Sequence, residues 1–149
     1  PLMLTQKVFK TKIIVEHRCM DASFPKKEHL CKKKDFELLF SNGKSVYHSF
    51  LKAQFIFIDS ENPEIKVAFA VPAKKIKKAI DRNYLKRIMR EVYRKNKFLL
   101  KDSRHKKSIY ITFIFLTNER VHYKQMEEVL LLLLQQIQEK YLSHTKHKE

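Results

Sequence analysis

Residues 82–97, RNYLKRIMREVYRKNK, carry seven basic side chains against a single acid, Glu91, and contain neither glycine nor proline. Four of the seven are arginines: Arg82, Arg87, Arg90 and Arg94. A guanidinium is a planar fork that holds two phosphate oxygens at once, which an ammonium cannot do. Spread over about four helical turns, roughly 20 Å, these forks match consecutive phosphates of a nucleic-acid backbone. A wheel advanced by about 100° per residue sorts the segment into two faces. Leu85, Ile88, Met89, Val92 and Leu99 share one arc; Arg82, Asn83, Lys86, Arg90 and Lys97 lie opposite, with Arg87 and Arg94 at the edge. The polar face reads as lacking i,i+4 acid partners to offset its repulsion, and phosphates would supply that offset. The competing reading is a solvated basic face with no dedicated ligand. Against it, sixteen Lys and Arg face three acids over residues 66–107, far beyond what solubility requires.

A second set is aromatic. Phe36 and Phe40 stand at i,i+4 spacing on a predicted first helix, and Phe55 and Phe57 share one side of a predicted strand with Leu51 and Ala53, because strand side chains alternate. An aromatic beside a basic groove can stack on single-stranded bases. Any one phenylalanine can equally be core, since Phe50, Phe69, Phe113 and Phe115 are also present. A third pattern is the repeat EHRC and EHLC, at 16–19 and 28–31, which offers His17, Cys19, His29 and Cys31 as a His₂Cys₂ zinc set. Its spacing is not that of a familiar finger, Lys26 and Lys27 intervene, and chance is the better explanation. Motifs of serine hydrolases, P-loop proteins and zinc proteases are missing, and one glycine in the chain excludes a glycine-rich phosphate cradle. Asp81, Glu91 and Asp102 are single carboxylates among cations. No protein residue is assigned a catalytic or metal-binding role.

The elements that must position these residues follow from periodicity and punctuation. Residues 32–43 predict a short helix with Phe36, Leu39 and Phe40 on one face, ended by Asn42-Gly43 in a left-handed stop. Residues 45–59 predict one strand, 66–71 a second, 77–100 the basic helix, 108–116 a buried strand and 122–142 a long helix. This order, α-β-β-α-β-α, predicts an α+β two-layer sandwich with helices packed on a small sheet. At 149 residues one domain is expected, over 24–142, after a basic arm at 1–23 and before a polar tail at 143–149. The net charge of +16 suits a polyanionic partner, nucleic acid or an anionic membrane. Two cysteines make no disulfide framework, so a cytoplasmic location is expected. No secretory signal is read at 1–20, and apolar runs such as 129–134 are too short to span a bilayer.

KVAFAVPAKKIKKAIDRNYLKRIMREVYRK, at 66–95, resembles the signature of the bacterial ribonuclease P protein subunit. In that family a short strand precedes a Lys-Lys loop, here Lys74-Lys75. A helix then opens with Ala79-Ile80 and Arg82-Asn83 and continues with Lys86-Arg87 and Arg90-Glu91. The upstream KKKDFELLFSNGKSV is similar to the family's first helix, and the resemblance covers about residues 24–142. The chain departs from the pattern where the family has glycines, with Ala68 in the strand and Lys77 or Lys78 in a loop lengthened around Pro72. The resemblance implies an accessory to a catalytic RNA, which with its own Mg²⁺ removes the 5′ leader from precursor tRNA. It implies an RNA-binding set of Lys74, Lys75, Arg82, Asn83, Lys86, Arg87, Arg90 and Arg94. It further implies a leader cleft using Phe36, Phe40 and Phe55, a protein monomer in a 1:1 ribonucleoprotein, and no membrane. It also implies a left-handed β-α-β crossover around the basic helix, where right-handed crossovers prevail in about 98% of cases. A general RNA-binding protein of ribosomal type, with no role in tRNA cleavage, is the alternative.

Overall fold

The computed structural model describes residues 23–100 and 107–146. Among these residues the order is α1 (Lys33–Asn42), β1 (Lys44–His48), β2 (Leu51–Asp59), β3 (Ile65–Ala70), α2 (Ala79–Asn96), β4 (Lys107–Phe115) and α3 (Tyr123–Lys146). Short 3₁₀ turns cover Lys26–Glu28 and Lys97–Leu99. The strands form one sheet in the order β1-β2-β4-β3. β1 and β2 pair antiparallel, as do β2 and β4, whereas β3 and β4 are parallel. The parallel pair is joined through α2, and this is the crossover to which the left-handed expectation applies.

The α+β class holds, and one strand is gained. The single strand expected over 45–59 is a hairpin, with His48 opposite Leu51 and Ser49-Phe50 as its tip. Ser49 takes φ 52°, the left-handed conformation that a tight hairpin tip needs. Serine in place of glycine or asparagine there leaves no turn signature in the sequence. Gly43 also differs from expectation. It is extended, φ −73° and ψ 152°, and does not make a left-handed stop. Glycine is required for a steric reason: a Cβ at this position would stand 2.2 Å from the Leu39 carbonyl oxygen, which accepts the Gly43 N–H at 2.8 Å. At the other end of the chain, α3 runs through Lys146, a turn past the expected boundary. In this last stretch the Ser143 hydroxyl donates to the Glu139 carbonyl at 3.0 Å.

Alternation divides the sheet. Leu51, Ala53 and Phe55 of β2, Ile109, Ile111, Phe113 and Phe115 of β4, and Val67 of β3 share one face and are buried. Against them pack Leu85, Met89, Val92 and Tyr93 of α2 and Met126, Leu130, Leu133, Leu134 and Ile137 of α3. Leu130, Leu133 and Leu134 of the leucine run are therefore core, whereas Leu132 faces solvent. The opposite face receives α1, whose Leu39 is fully buried and whose Leu39 carbonyl accepts a hydrogen bond from Gln54 Nε2 at 3.3 Å.

The free edge of β3 is covered by residues 24–30. His29 bridges to Val67, and the Leu30 N–H donates to the Val67 carbonyl at 3.0 Å. Phe24 stacks on His29 at 4.2 Å and meets Phe69 and Tyr93 edge-on. Covering an edge in this way blocks strand addition from another chain. Lys97, placed by the wheel on the cationic face, is instead 3% exposed, bonded to the Ser23 carbonyl and paired with Glu28 at 3.0 Å. The helix has ended at Asn96, so the wheel no longer applies there. Burial, with the Glu28 charge second, pushes the Tyr93 phenol far up in this cluster. Gly43→Ala should lower stability by about 1–3 kcal/mol, as overpacked sites do, and the midpoint of urea unfolding will read that loss.

Candidate nucleic-acid interface

The α2 helix begins without a side-chain cap, because Lys78 occupies the N-cap position. Arg82 compensates. Its Nη1 donates to the carbonyls of Ile76 at 2.9 Å and Lys77 at 2.7 Å, fixing the loop to the first turn of the helix. The loop closes on itself as well, with the N–H groups of Lys75 and Ile76 both donating to the Pro72 carbonyl, and with Ile76 buried beneath. Lys74 and Lys75 are left exposed on a braced turn.

The eight expected RNA-binding residues divide by what they already touch. Arg82 is half-buried and spent on loop carbonyls. Arg94 is tied to Glu91, with Nε to Oε2 at 3.1 Å and Nη2 to Oε1 at 2.5 Å, and Lys95 approaches the same carboxylate at 3.7 Å. The cationic face thus does carry an acid partner, at i,i+3 and i,i+4, which corrects the sequence reading. Asp81 is likewise paired, with Arg120 at 3.3 Å, and Arg120 lies 3.7 Å from the Tyr84 ring centre. Asn83, Lys86, Arg87 and Arg90 remain. They occur at i, i+3, i+4 and i+7, one stripe about 10 Å long. Among the described residues no carboxylate lies within ion-pair distance of Lys86, Arg87 or Arg90. The structure therefore brings together four such groups on α2 and two on the preceding loop, while Arg82 and Arg94 already hold carbonyls and a carboxylate.

Across the sheet, Phe36 and Phe40 lie side by side on α1, ring centres 6.2 Å apart and planes 18° apart, with Phe40 54% exposed. Phe55 does not join them. It is 1% exposed on the face packed against α2 and α3. The alternation that groups Phe55 with Ala53 and Phe57 is correct, but the side so defined is the core side. Its neighbours Gln54 and Ile56 point toward α1.

The direction of the Phe36–Phe40 flank follows from the helix. With Leu39 aimed at the sheet, Phe36 and Phe40 lie about 60° and 100° to one side, and Asp35 and Leu38 about 40° and 100° to the other. Burial raises the Tyr110 phenol most, and the Asp35 charge is the next cause. Tyr110 and Lys66 share a row of the sheet, with the Lys66 ammonium 5.7 Å from the ring centre. Another row is formed across all four strands by Tyr47, Lys52, Ile114 and Ala70. None of these four is buried, whereas Gln54 and Thr112 in the row beneath α1 are. Past Ala70 the chain enters the Lys74–Lys75 loop. Among the described residues an apolar and basic floor thus runs from the hairpin to the loop. Sequence reasoning missed Tyr47 and Lys52; the signal was the alternation through SVYH once the hairpin is recognised.

The model of the family described as Ribonuclease P matches residues 24–138. The chain belongs to that family. The ribonuclease P protein component of Thermotoga maritima is 31% identical over 119 residues, covering 80% of this chain and 99% of that one. The component from Chlorobium phaeobacteroides is 39% identical over 79 residues, 50% of this chain. These matches to the Chlorobium and Legionella pneumophila components span 54% and 61% of the relatives' lengths. The solved ribonuclease P protein of T. maritima superposes with a TM-score of 0.60, covering 73% of this chain and 96% of that chain. The Staphylococcus aureus protein, 22% identical, shares the fold with a TM-score of 0.58, covering 73% and 94%.

The zinc reading finds no support where it can be followed. His17 and Cys19 lie outside the described residues, His29 is stacked on Phe24, and Cys31 is exposed. No three His, Cys, Asp or Glu side chains converge among the described residues.

The hydrogen bond from Arg94 holds Glu91 below the usual glutamate range. A depressed carboxylate adds stability above its unfolded pKa, about 4.3, and loses it as pH falls through the folded value. Arg94→Ala should return the Glu91 midpoint toward the ordinary value in a carboxyl NMR titration and flatten the stability profile across that acid window.

Proposed function

We propose that this chain is the protein subunit of a ribonuclease P ribonucleoprotein, acting in 5′ maturation of tRNA. The observation that carries the reading is the stripe Asn83, Lys86, Arg87 and Arg90, whose three cations have no carboxylate partner among the described residues, in a chain of this family. Around it the exposed Lys74 and Lys75 extend the positive surface. Phosphates of a folded RNA fit this stripe, since guanidinium forks on successive turns can each take a phosphate. Arg82 and Arg94 act one step back, setting the loop and the end of the stripe.

The second surface suits a different form of RNA. Stacked Phe36 and Phe40 beside the floor of Lys52, Ile114 and Ala70 would receive unpaired nucleotides, because only bases outside a helix expose faces for stacking. The single-stranded 5′ leader of precursor tRNA is the proposed occupant. Two RNA surfaces on one small protein would hold leader and catalytic RNA together, and the protein's contribution is binding and orientation. Hydrolysis is assigned to the RNA. Mg²⁺ would supply charge neutralisation and an activated water there, bound mainly by RNA phosphates. The described residues offer that ion no converging carboxylates. The proposed assembly is one protein with one RNA in the cytoplasm, and no helix among the described residues is long and apolar enough to cross a membrane.

The deciding experiment is cleavage of 5′-labelled precursor tRNA at low Mg²⁺ by the protein, the catalytic RNA, and both. Cutting at the mature 5′ end is expected only with both. Cutting by the protein alone would overturn the assignment of chemistry to RNA, and indifference to the protein would leave a general RNA-binding module. A second measurement addresses the stripe. Arg87→Ala combined with Arg90→Ala should reduce the slope of log K against log salt by roughly 1.4 to 1.8, at about 0.7 to 0.9 per phosphate contact. An unchanged slope would remove α2 as the RNA-facing element.

A further inference from the structure

We propose that Arg120, in the loop between β4 and α3, is a further phosphate-binding residue: its guanidinium, laid on Tyr84 and braced by Asp81, adds a cation beside the α2 stripe. The proposal rests on the reading above that α2 faces the catalytic RNA, and it assigns Arg120 one phosphate of that same RNA.

The period of residues 82–97 gives no hint of this residue, because it lies outside the helix and reaches α2 only through the fold. The loop that carries it is held on both sides. The Leu116 N–H donates to the Phe50 carbonyl at 2.8 Å, Val121 is buried, and the His122 N–H donates to Gln125 Oε1 at 3.2 Å where α3 begins. Between these fixed points Arg120 extends to α2. Its guanidinium carbon lies 3.7 Å from the Tyr84 ring centre, and Nη1 donates to Asp81 Oδ1 at 3.3 Å. Two contacts of different kinds fix the group, so less rotamer freedom is left to lose on binding. The side chain still keeps 49% of its surface in solvent. Among the described residues Nη1 alone of its nitrogens is hydrogen-bonded, so most of the N–H fork is unspent.

Placement decides what that fork can reach. Tyr84 follows Ile80 by four residues and precedes Arg87 by three, so the three form a row on α2. Arg87 belongs both to this row and to the stripe of Asn83, Lys86 and Arg90. Ile80 is 80% exposed and Arg87 is exposed, so this flank is open among the described residues. Arg120 therefore sets a charge beside Arg87 and widens a line of cations into a surface. Asp81 does not cancel it. An ion pair this exposed is weak, and Asp81 stands in the first turn of α2, where the helix dipole already favours a carboxylate. A phosphate on the free edge of the guanidinium leaves the pair with Asp81 intact. A residue that only tied the loop to α2 would affect stability and leave RNA binding to α2 itself.

The test titrates the full chain against the ribonuclease P catalytic RNA across a salt series, with a thermal melt of each variant to establish that it is folded. Arg120→Gln should lower the slope of log K against log salt by roughly 0.7 to 0.9, the value for one phosphate contact. Lys140→Gln removes the same charge from an exposed position on α3 and should leave the slope as it is. Asp81→Asn breaks the ion pair but keeps the arginine on Tyr84, and should also retain the slope. An unchanged slope in folded Arg120→Gln would overturn the proposal. So would an equal fall in Lys140→Gln, which would make the effect one of net charge, or in Asp81→Asn, which would make it one of bracing. Arg87→Ala with Arg90→Ala separates the two readings. If that pair lowers the slope and Arg120→Gln does not, the Arg120 assignment falls alone; if neither does, α2 as the RNA face falls with it.

Discussion

Among the described residues Lys86, Arg87 and Arg90 of α2 have no carboxylate within ion-pair distance, and the helix persists because its other face is buried. Like charges at i,i+3 or i,i+4 cost a few tenths of a kcal/mol each. The pairs Arg82–Lys86, Lys86–Arg90 and Arg87–Arg90 therefore oppose the helix by about 1 kcal/mol. Against this, Leu85, Ile88, Met89, Val92 and Tyr93 are all at most 8% exposed, and burying a side chain of this size contributes roughly 1.5–3 kcal/mol. Burial wins by a wide margin. A helix so anchored can carry a concentrated cationic stripe into solvent, where a polyanion finds it already arranged.

The same sheet that anchors α2 keeps the second surface separate. Because side chains alternate, one face of β2 and β4 is committed to α2 and α3, and the other is left to α1 alone. One short helix cannot cover four strands. The row under Leu39 is buried, and the rows on either side are open. Gly43 sets this arrangement by letting β1 start directly after α1, with the Leu39 carbonyl closer than a side chain would allow. A longer connection would free α1 from the sheet, and the flank that presents Phe36 and Phe40 would lose its floor.

Positive charge is treated in two ways in this molecule. Arg82, Arg94, Lys97, Lys107 and Arg120 are each engaged with carbonyls or carboxylates and hold elements in place. Lys74, Lys75, Lys86, Arg87 and Arg90 have no carboxylate partner among the described residues and are exposed or half-buried. Sixteen acids cannot neutralise thirty-two bases, so the surplus is available for recognition, and the fold decides where it collects.

Much was legible from sequence alone. The 3.6-residue period of 82–97 determined α2, its buried arc and its cationic face, because a helix of regular pitch leaves little choice once apolar residues recur at that spacing. The basic balance and the Arg-Asn motif pointed to RNA for the same local reason. The rest depended on tertiary contacts. Residues 45–59 looked like one strand because nothing in Ser49-Phe50 advertises a turn; pairing of the two arms across that tip makes it one. Phe55 and Phe40 are the same residue type in equally apolar settings, and only the side of the sheet taken by α2 and α3 makes one core and the other exposed. Lys97 and Arg90 are both cations seven residues apart. The helix ends between them, and Glu28, sixty-nine residues from Lys97, neutralises one, while the other has no carboxylate partner among the described residues.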